Sequence, residues 1–131
     1  MPEELRSRYF VTPFVGPEIG DVYAVTNLVV GRSGAGTVAE VCALGKAAVF
    51  IPLVPTGGDE QTRNAKRVTE AGGAVIVKNG DLTGPALYDA IAGILADPLR
   101  MAAMGVASKT LAMPNAASDL ATLLLQLAKP L

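Results

Sequence analysis

The run Asn27-Leu28-Val29-Val30-Gly31-Arg32-Ser33-Gly34-Ala35-Gly36-Thr37-Val38-Ala39-Glu40 decides how this chain of 131 residues is read. Its first residues, 27–31, read as a buried strand. Val38, Val41, Cys42 and Leu44 recur at the spacing of one helix face. Between them lie glycines, which let a backbone approach a ligand closely. A helix start adds unpaired N–H groups and the positive end of the helix dipole. Strand, glycine loop and helix start together predict a phosphate-holding loop.

The pattern repeats outward from there. Ala47-Ala48-Val49-Phe50-Ile51-Pro52-Leu53 is a continuous apolar run, suited to a strand buried on both faces. Val54-Pro55-Thr56-Gly57-Gly58 reads as a loop. Asp59 is placed to cap a helix over about 60–72 that stops at Gly72-Gly73, with Lys66 and Glu70 spaced for a surface ion pair. Residues 74–77 read as a short strand, followed by a turn at Asn79-Gly80. Thr83 caps a helix over about 84–96, and Asp97-Pro98 opens another. Upstream, residues 8–15 read as a strand and 17–25 as a short helix. Downstream, Leu120, Leu123, Leu124 and Leu127 give a last helix, about 116–128, a core-type face. Alternating strands and helices predict an α/β fold with a small parallel sheet. The loops at 31–37 and 53–61 then leave strand carboxyl ends on the same ligand-binding edge.

Composition narrows the chemistry. Half of the residues are hydrophobic and 18% are charged, which excludes disorder, and the net charge of −1 comes with scattered basic residues. No basic stripe points to nucleic acid. The single Cys42 cannot form an internal disulfide and reads as a core residue. The chain has no histidine, which removes imidazole acid–base chemistry, the Ser-His-Asp triad and His metal sites. Met1-Pro2-Glu3-Glu4 carries no apolar signal, and no apolar run approaches a membrane span. The expectation is a cytoplasmic, soluble chain.

Several residues carry two readings. Gly34-Ala35-Gly36-Thr37-Val38-Ala39 fits G-x-G-x-x-G/A. A dinucleotide fold, however, wants that motif after the first strand and an acid at the end of the second, where this chain has none. Thr37-Val38-Ala39-Glu40 is a capping-box pattern, so Glu40 either bonds back to the Thr37 backbone or accepts from two ribose hydroxyls. Arg32 and Ser33 are phosphate donors or simply a surface charge and a turn residue. Glu60, Gln61 and Asn64 are a polar helix start or a set of sugar contacts, with Gln61 and Asn64 on one face.

Arg32 to Glu40, Ala43-Leu44-Gly45-Lys46, Ile51-Pro52-Leu53 and Asp59-Glu60-Gln61-Thr62-Arg63-Asn64-Ala65 together resemble the MurG family. These are the UDP-GlcNAc transferases that form lipid II in peptidoglycan synthesis. Glu70-Ala71-Gly72-Gly73-Ala74, Leu95-Ala96-Asp97-Pro98 and Pro114-Asn115-Ala116-Ala117 extend the resemblance from about Tyr9 to Leu127. It is specific for GT-B glycosyltransferases of family 28 as a group. It implies a Rossmann-like parallel sheet with flanking helices, the C-terminal half of a GT-B enzyme. The loop Ser33, Gly34, Ala35, Gly36, Thr37 would hold the donor diphosphate through backbone N–H groups, with Arg32 beside it. Glu40 would hold the ribose, and Glu60 and Gln61, with Asn64, the GlcNAc hydroxyls. The family carries His or Gln where this chain has Glu60, a departure that bears on the donor sugar.

The resemblance also implies what lies elsewhere. Residues 1–131 correspond to a single, incomplete donor-binding domain. The acceptor domain, with the family's proposed general base, is not among them, so no catalytic residue is expected here. Neither a cofactor nor a metal is expected, the nucleotide sugar being the substrate. The acceptor would be membrane-associated, and the chain peripheral at the inner membrane face through the other domain. The alternatives are a subunit of a split glycosyltransferase, a non-catalytic interaction module derived from such a domain, or an unrelated NAD- or FMN-binding protein.

Overall fold

The computed structural model describes residues 2–53 and 58–128. Three short strands, β1 (Leu28–Gly31), β2 (Ala47–Phe50) and β3 (Ala74–Ile76), form one parallel sheet in the order β1-β2-β3. The register pairs Leu28 with Ala47 and Ala48 with Ala74. Helix α3 (Ala35–Leu44) connects the first pair of strands and α4 (Glu60–Glu70) the second. Two right-handed crossovers that step in the same direction put both helices on one face. After β3 the chain makes a 3₁₀ turn at Asn79–Asp81 and covers the other face with α5 (Gly84–Leu95) and α6 (Pro98–Lys109).

β2 shows why this arrangement holds. Its side chains alternate between two cores, as a strand of period two requires. Ala48 and Phe50 pack with Val41, Cys42, Ala65 and Val68 of α3 and α4. Ala47, Val49 and Ile51 pack with Ile94 and Met104 of α5 and α6. All four residues of the strand are buried. The fold is therefore the three-layer α/β arrangement that the alternating pattern predicts.

The helix ends follow local chemistry. Gly45 closes α3 at φ +63°, the left-handed C-cap that glycine adopts at least cost. The Thr83 and Asp97 side chains accept from the N–H groups of Ala86 and Arg100, with proline in the first turn of each helix. The Lys66–Glu70 pair forms at 3.6 Å on the exposed face of α4.

Two expectations are not met. Residues 8–15 form no strand; their local bonds include Thr12 Oγ1 donating to the Phe14 carbonyl, and Phe10 and Phe14 are 88% and 78% exposed. A strand-like stretch becomes a strand only with a ladder partner, and among the described residues none pairs there. The last helix, α7 (Ala116–Leu127), forms as expected but buries no residue, and Leu120, Leu123, Leu124 and Leu127 are all exposed. Their spacing fixes a face, not what covers it. The expected loop at 54–57 lies outside the described residues.

α6 is locked to the sheet by close backbone approach. A Cβ at Gly105 would stand 2.5 Å from the Gly45 carbonyl oxygen, and one at Gly73 would stand 2.9 Å from the Ser108 backbone nitrogen. Gly105→Ala is therefore expected to lower the unfolding free energy by about 1–3 kcal/mol, the overpacking cost outweighing alanine's helix propensity. A urea melt with unchanged slope reads this out; an unchanged or raised midpoint would contradict it.

Candidate functional site

β1 carries the chain out of the carboxyl edge of the sheet into Arg32 and Ser33, and α3 begins two residues later. Ser33 is completely buried. Its hydroxyl donates to the Gln61 carbonyl at 2.8 Å, and its own carbonyl accepts from Asn64 Nδ2 at 3.2 Å. The Leu53 N–H donates to Gln61 Oε1 at 2.9 Å. These three bonds join the exit of β1, the exit of β2 and the first turn of α4.

Three residues expected to face a ligand thus spend part of their capacity on the scaffold. The Ser33 hydroxyl proton is committed inward and the residue is wholly buried, so Ser33 presents no exposed group to a phosphate. Gln61 uses its oxygen on Leu53, a partner that also fixes which end of the amide is which. That bond leaves the Gln61 –NH2 as a pair of donors, while the bond to Ser33 leaves the Asn64 oxygen as an acceptor. Arg32 is similarly anchored: Nη1 donates to the Ile51 carbonyl at 3.0 Å and to Asn79 Oδ1 at 2.7 Å. The guanidinium therefore bridges the exit of β2 and the turn after β3.

The start of α3 is open. Gly34 is its N-cap in an extended conformation, with no side chain capping the helix. The first bond of the helix runs from the Val38 N–H to the Gly34 carbonyl at 3.0 Å. The N–H groups of Ala35, Gly36 and Thr37 precede it and have no partner within the helix. A Cβ built on Gly34 or Gly36 would meet nothing within 4 Å. The result is an uncapped helix N-terminus with open space before it.

Thr37 is the third residue of α3, not its N-cap, so the capping-box reading of Glu40 fails. Glu40 lies about one turn further along the helix, on the side of Gly36 and Thr37. It is exposed, and its Oε2 accepts from the Tyr23 hydroxyl of α2 (Ile19–Val25) at 2.8 Å. Glu60 is the exposed first residue of α4. Asp59 is the N-cap of that helix but makes no side-chain cap bond. A hollow of about 540 Å³ opens at this edge, lined by Pro52, Asp59, Thr62, Lys66, Lys78 and Asn79.

The structure thus brings Ser33, Gln61 and Asn64 into direct contact, sets Gly34 to Thr37 at the helix start, and holds Arg32 and Glu40 through other residues. Those two holders, Asn79 and Tyr23, were not singled out from the sequence. Asn79 was within reach, because it follows a predicted strand and such exits share one edge. Tyr23 was not: it meets Glu40 across 17 residues, with no periodicity to link them. Cys42 is buried as expected, and burial pushes its thiol above the ordinary value, with Arg67 partly opposing.

These features define a Rossmann-like domain whose carboxyl edge is made of strand exits and helix starts. The sequence profile described as the glycosyltransferase family 28 C-terminal domain matches residues 3–120, and the chain belongs to that family. A protein of Xanthomonas campestris pv. campestris, named UDP-N-acetylglucosamine--N-acetylmuramyl-(pentapeptide) pyrophosphoryl-undecaprenol N-acetylglucosamine transferase, is 42% identical over 116 residues, 88% of this chain and 27% of that protein. Proteins of the same name from Nocardioides sp. and Chlorobium limicola are 40% and 36% identical, covering 95% and 94% of this chain and 34% of each relative. The crystal structure of MurG from Acinetobacter baumannii superposes with a TM-score of 0.80 and 32% identity, covering 89% of this chain and 35% of that one. The chain spans about a third or less of the length of these relatives.

Two outcomes test the geometry. Ser33→Ala leaves the Gln61 carbonyl without its donor and is expected to cost about 1–3 kcal/mol of stability, read as a lowered urea midpoint. The Tyr23 phenol is pushed up to about 12 by burial and by the Glu40 carboxylate that accepts its proton. Because the folded state holds this proton more tightly than the unfolded chain, the contribution is complete below about pH 10 and is lost as the pH rises through about 12. The difference in ultraviolet titration between wild type and Tyr23→Phe should centre near pH 12; a midpoint near 10 would show that Tyr23 is not held as described.

Proposed function

We propose that this chain binds the nucleotide-sugar donor, UDP-GlcNAc, for an inverting hexosyl transfer onto a lipid-linked acceptor. The observation that carries the reading is the uncapped start of α3, with Glu40 about one turn beyond it. The N–H groups of Ala35, Gly36 and Thr37, the dipole of α3 and the neighbouring Arg32 suit a diphosphate. Glu40 is placed for the ribose diol. Gln61, Asn64 and Glu60, at the start of α4, are placed for the sugar hydroxyls. The names borne by the relatives support uridine and GlcNAc as the identities of that donor.

The mechanism follows from where charge develops. An acceptor hydroxyl attacks C1 of the sugar from the face opposite the diphosphate, the C1–O bond breaks, and negative charge grows on the leaving phosphate. Fixed N–H dipoles aimed at that phosphate stabilise the transition state more than the ground state. The reading invokes no cofactor. The acceptor-binding part and the base that takes the acceptor proton belong to sequence outside these 131 residues. The acceptor named for the relatives is a pyrophosphoryl-undecaprenol, which would bring the assembled protein to a membrane surface. Among the described residues no single helix is long and apolar enough to cross one; α5 and α6 are apolar but meet at 94°.

Calorimetric titration of the folded chain with UDP and UDP-GlcNAc is the test. Binding of both is expected, and Glu40→Ala should weaken UDP at least about tenfold, some 1.4 kcal/mol, while changing stability by less than about 1 kcal/mol. Absence of binding to both ligands by a cooperatively folded sample would refute the proposal. Equal losses of affinity and stability would return Glu40 to a structural role.

A further inference from the structure

Glu40 is an exposed carboxylate on a helix surface, free to rotate about three side-chain bonds, yet one of its oxygens has a fixed partner. The Tyr23 hydroxyl donates to Oε2 at 2.8 Å from α2, a helix separate in sequence from both ligand loops. The Tyr23 ring is half-buried, on a helix none of whose residues is fully buried. We propose that Tyr23 is a positioning residue for donor binding: it holds the Glu40 carboxylate in the orientation that receives the two ribose hydroxyls of a nucleoside diphosphate. This inference rests on the donor-binding reading given above.

The hydrogen-bond inventory makes the assignment specific. A carboxylate has about four acceptor positions, two on each oxygen. Tyr23 fills one on Oε2, leaving Oε1 whole and one position on Oε2. Adjacent hydroxyls on a ribose ring can then donate to the two oxygens together. The phenol is a suitable partner because it stays protonated well above neutral pH, its ionisation being pushed up to about 12. It is therefore a donor under all working conditions, and it adds no charge to compete with the diphosphate. Without it the carboxylate would have to be ordered by the ligand itself, and the lost side-chain freedom would count against binding.

The test uses the whole 131-residue chain, UDP, and 2′,3′-dideoxy-UDP, which lacks both ribose hydroxyls. Wild type should prefer UDP. Tyr23→Phe, which removes only the hydroxyl, should weaken UDP by about three- to tenfold and leave the dideoxy compound nearly unchanged, so that the preference shrinks. In a Glu40→Ala background the same Tyr23→Phe change should have no further effect on either ligand. A general loss of packing would weaken both ligands alike and would overturn the proposal. An increase in UDP affinity in Tyr23→Phe would overturn it too, because it would show the phenol competing with the ribose for Glu40. If wild type binds neither compound, the donor-binding reading itself fails; if wild type binds UDP and Tyr23→Phe binds it equally well, only the role of Tyr23 does.

Discussion

A strand with no solvent-facing residue constrains everything around it. β2 buries Ala47, Ala48, Val49 and Phe50 completely or nearly so. Its two faces need separate covers, and its two edges need neighbouring strands. With parallel strands and short connections, the covers must be crossover helices on one side and the helices that follow β3 on the other. Every strand then exits on the same edge. The shared carboxyl edge is thus a by-product of burying β2, and the polar residues along it sit at positions the core has already fixed.

Core packing alone would not hold two loops in register at that edge. The hydrogen bonds around Ser33 do so. Its hydroxyl reaches the Gln61 carbonyl while its carbonyl receives the Asn64 amide, so the exit of β1 and the first turn of α4 are tied in both directions. Because Ser33 is buried, water does not compete for these bonds, and breaking one would leave a buried polar group unpaired. The same side chains that would contact a sugar therefore double as fasteners. A residue such as Gln61 can serve both ends because its oxygen and its nitrogen are distinct partners.

The sequence made the layered fold legible because its signals were local. The continuous apolar run at β2, Gly45 and the Thr83 and Asp97 caps each act within a few residues. Which residues share the carboxyl edge of the sheet was legible for the same reason: strand exits and helix starts can be counted along the chain. What could not be read was any property that depends on a distant partner. Residues 8–15 read as a strand and the leucines of α7 have the spacing of a core helix face, but neither reading supplies a ladder neighbour or a covering surface. The inward turn of Ser33 and the Tyr23–Glu40 bond depend in the same way on segments 28 and 17 residues away.

The start of α3 has no side-chain cap, as the starts of α2, α4 and α7 have none. A Ser, Thr, Asp or Asn at the N-cap stabilises a helix by about 1 kcal/mol relative to alanine, by accepting from the N–H groups of the first turn, but by only a few tenths relative to glycine. Here the N-cap is Gly34, and the two hydroxyl residues that flank it are not available for capping: Ser33 is turned into the core and Thr37 lies inside the helix. A capping side chain would occupy the donors that an anion needs. Nor does packing call for the glycine, since a Cβ at Gly34 would meet nothing, in contrast to Gly105 and Gly73, where it would collide with backbone. On the donor-binding reading, a glycine that packing does not require, at a helix start without a side-chain cap, leaves space and N–H groups for an anion.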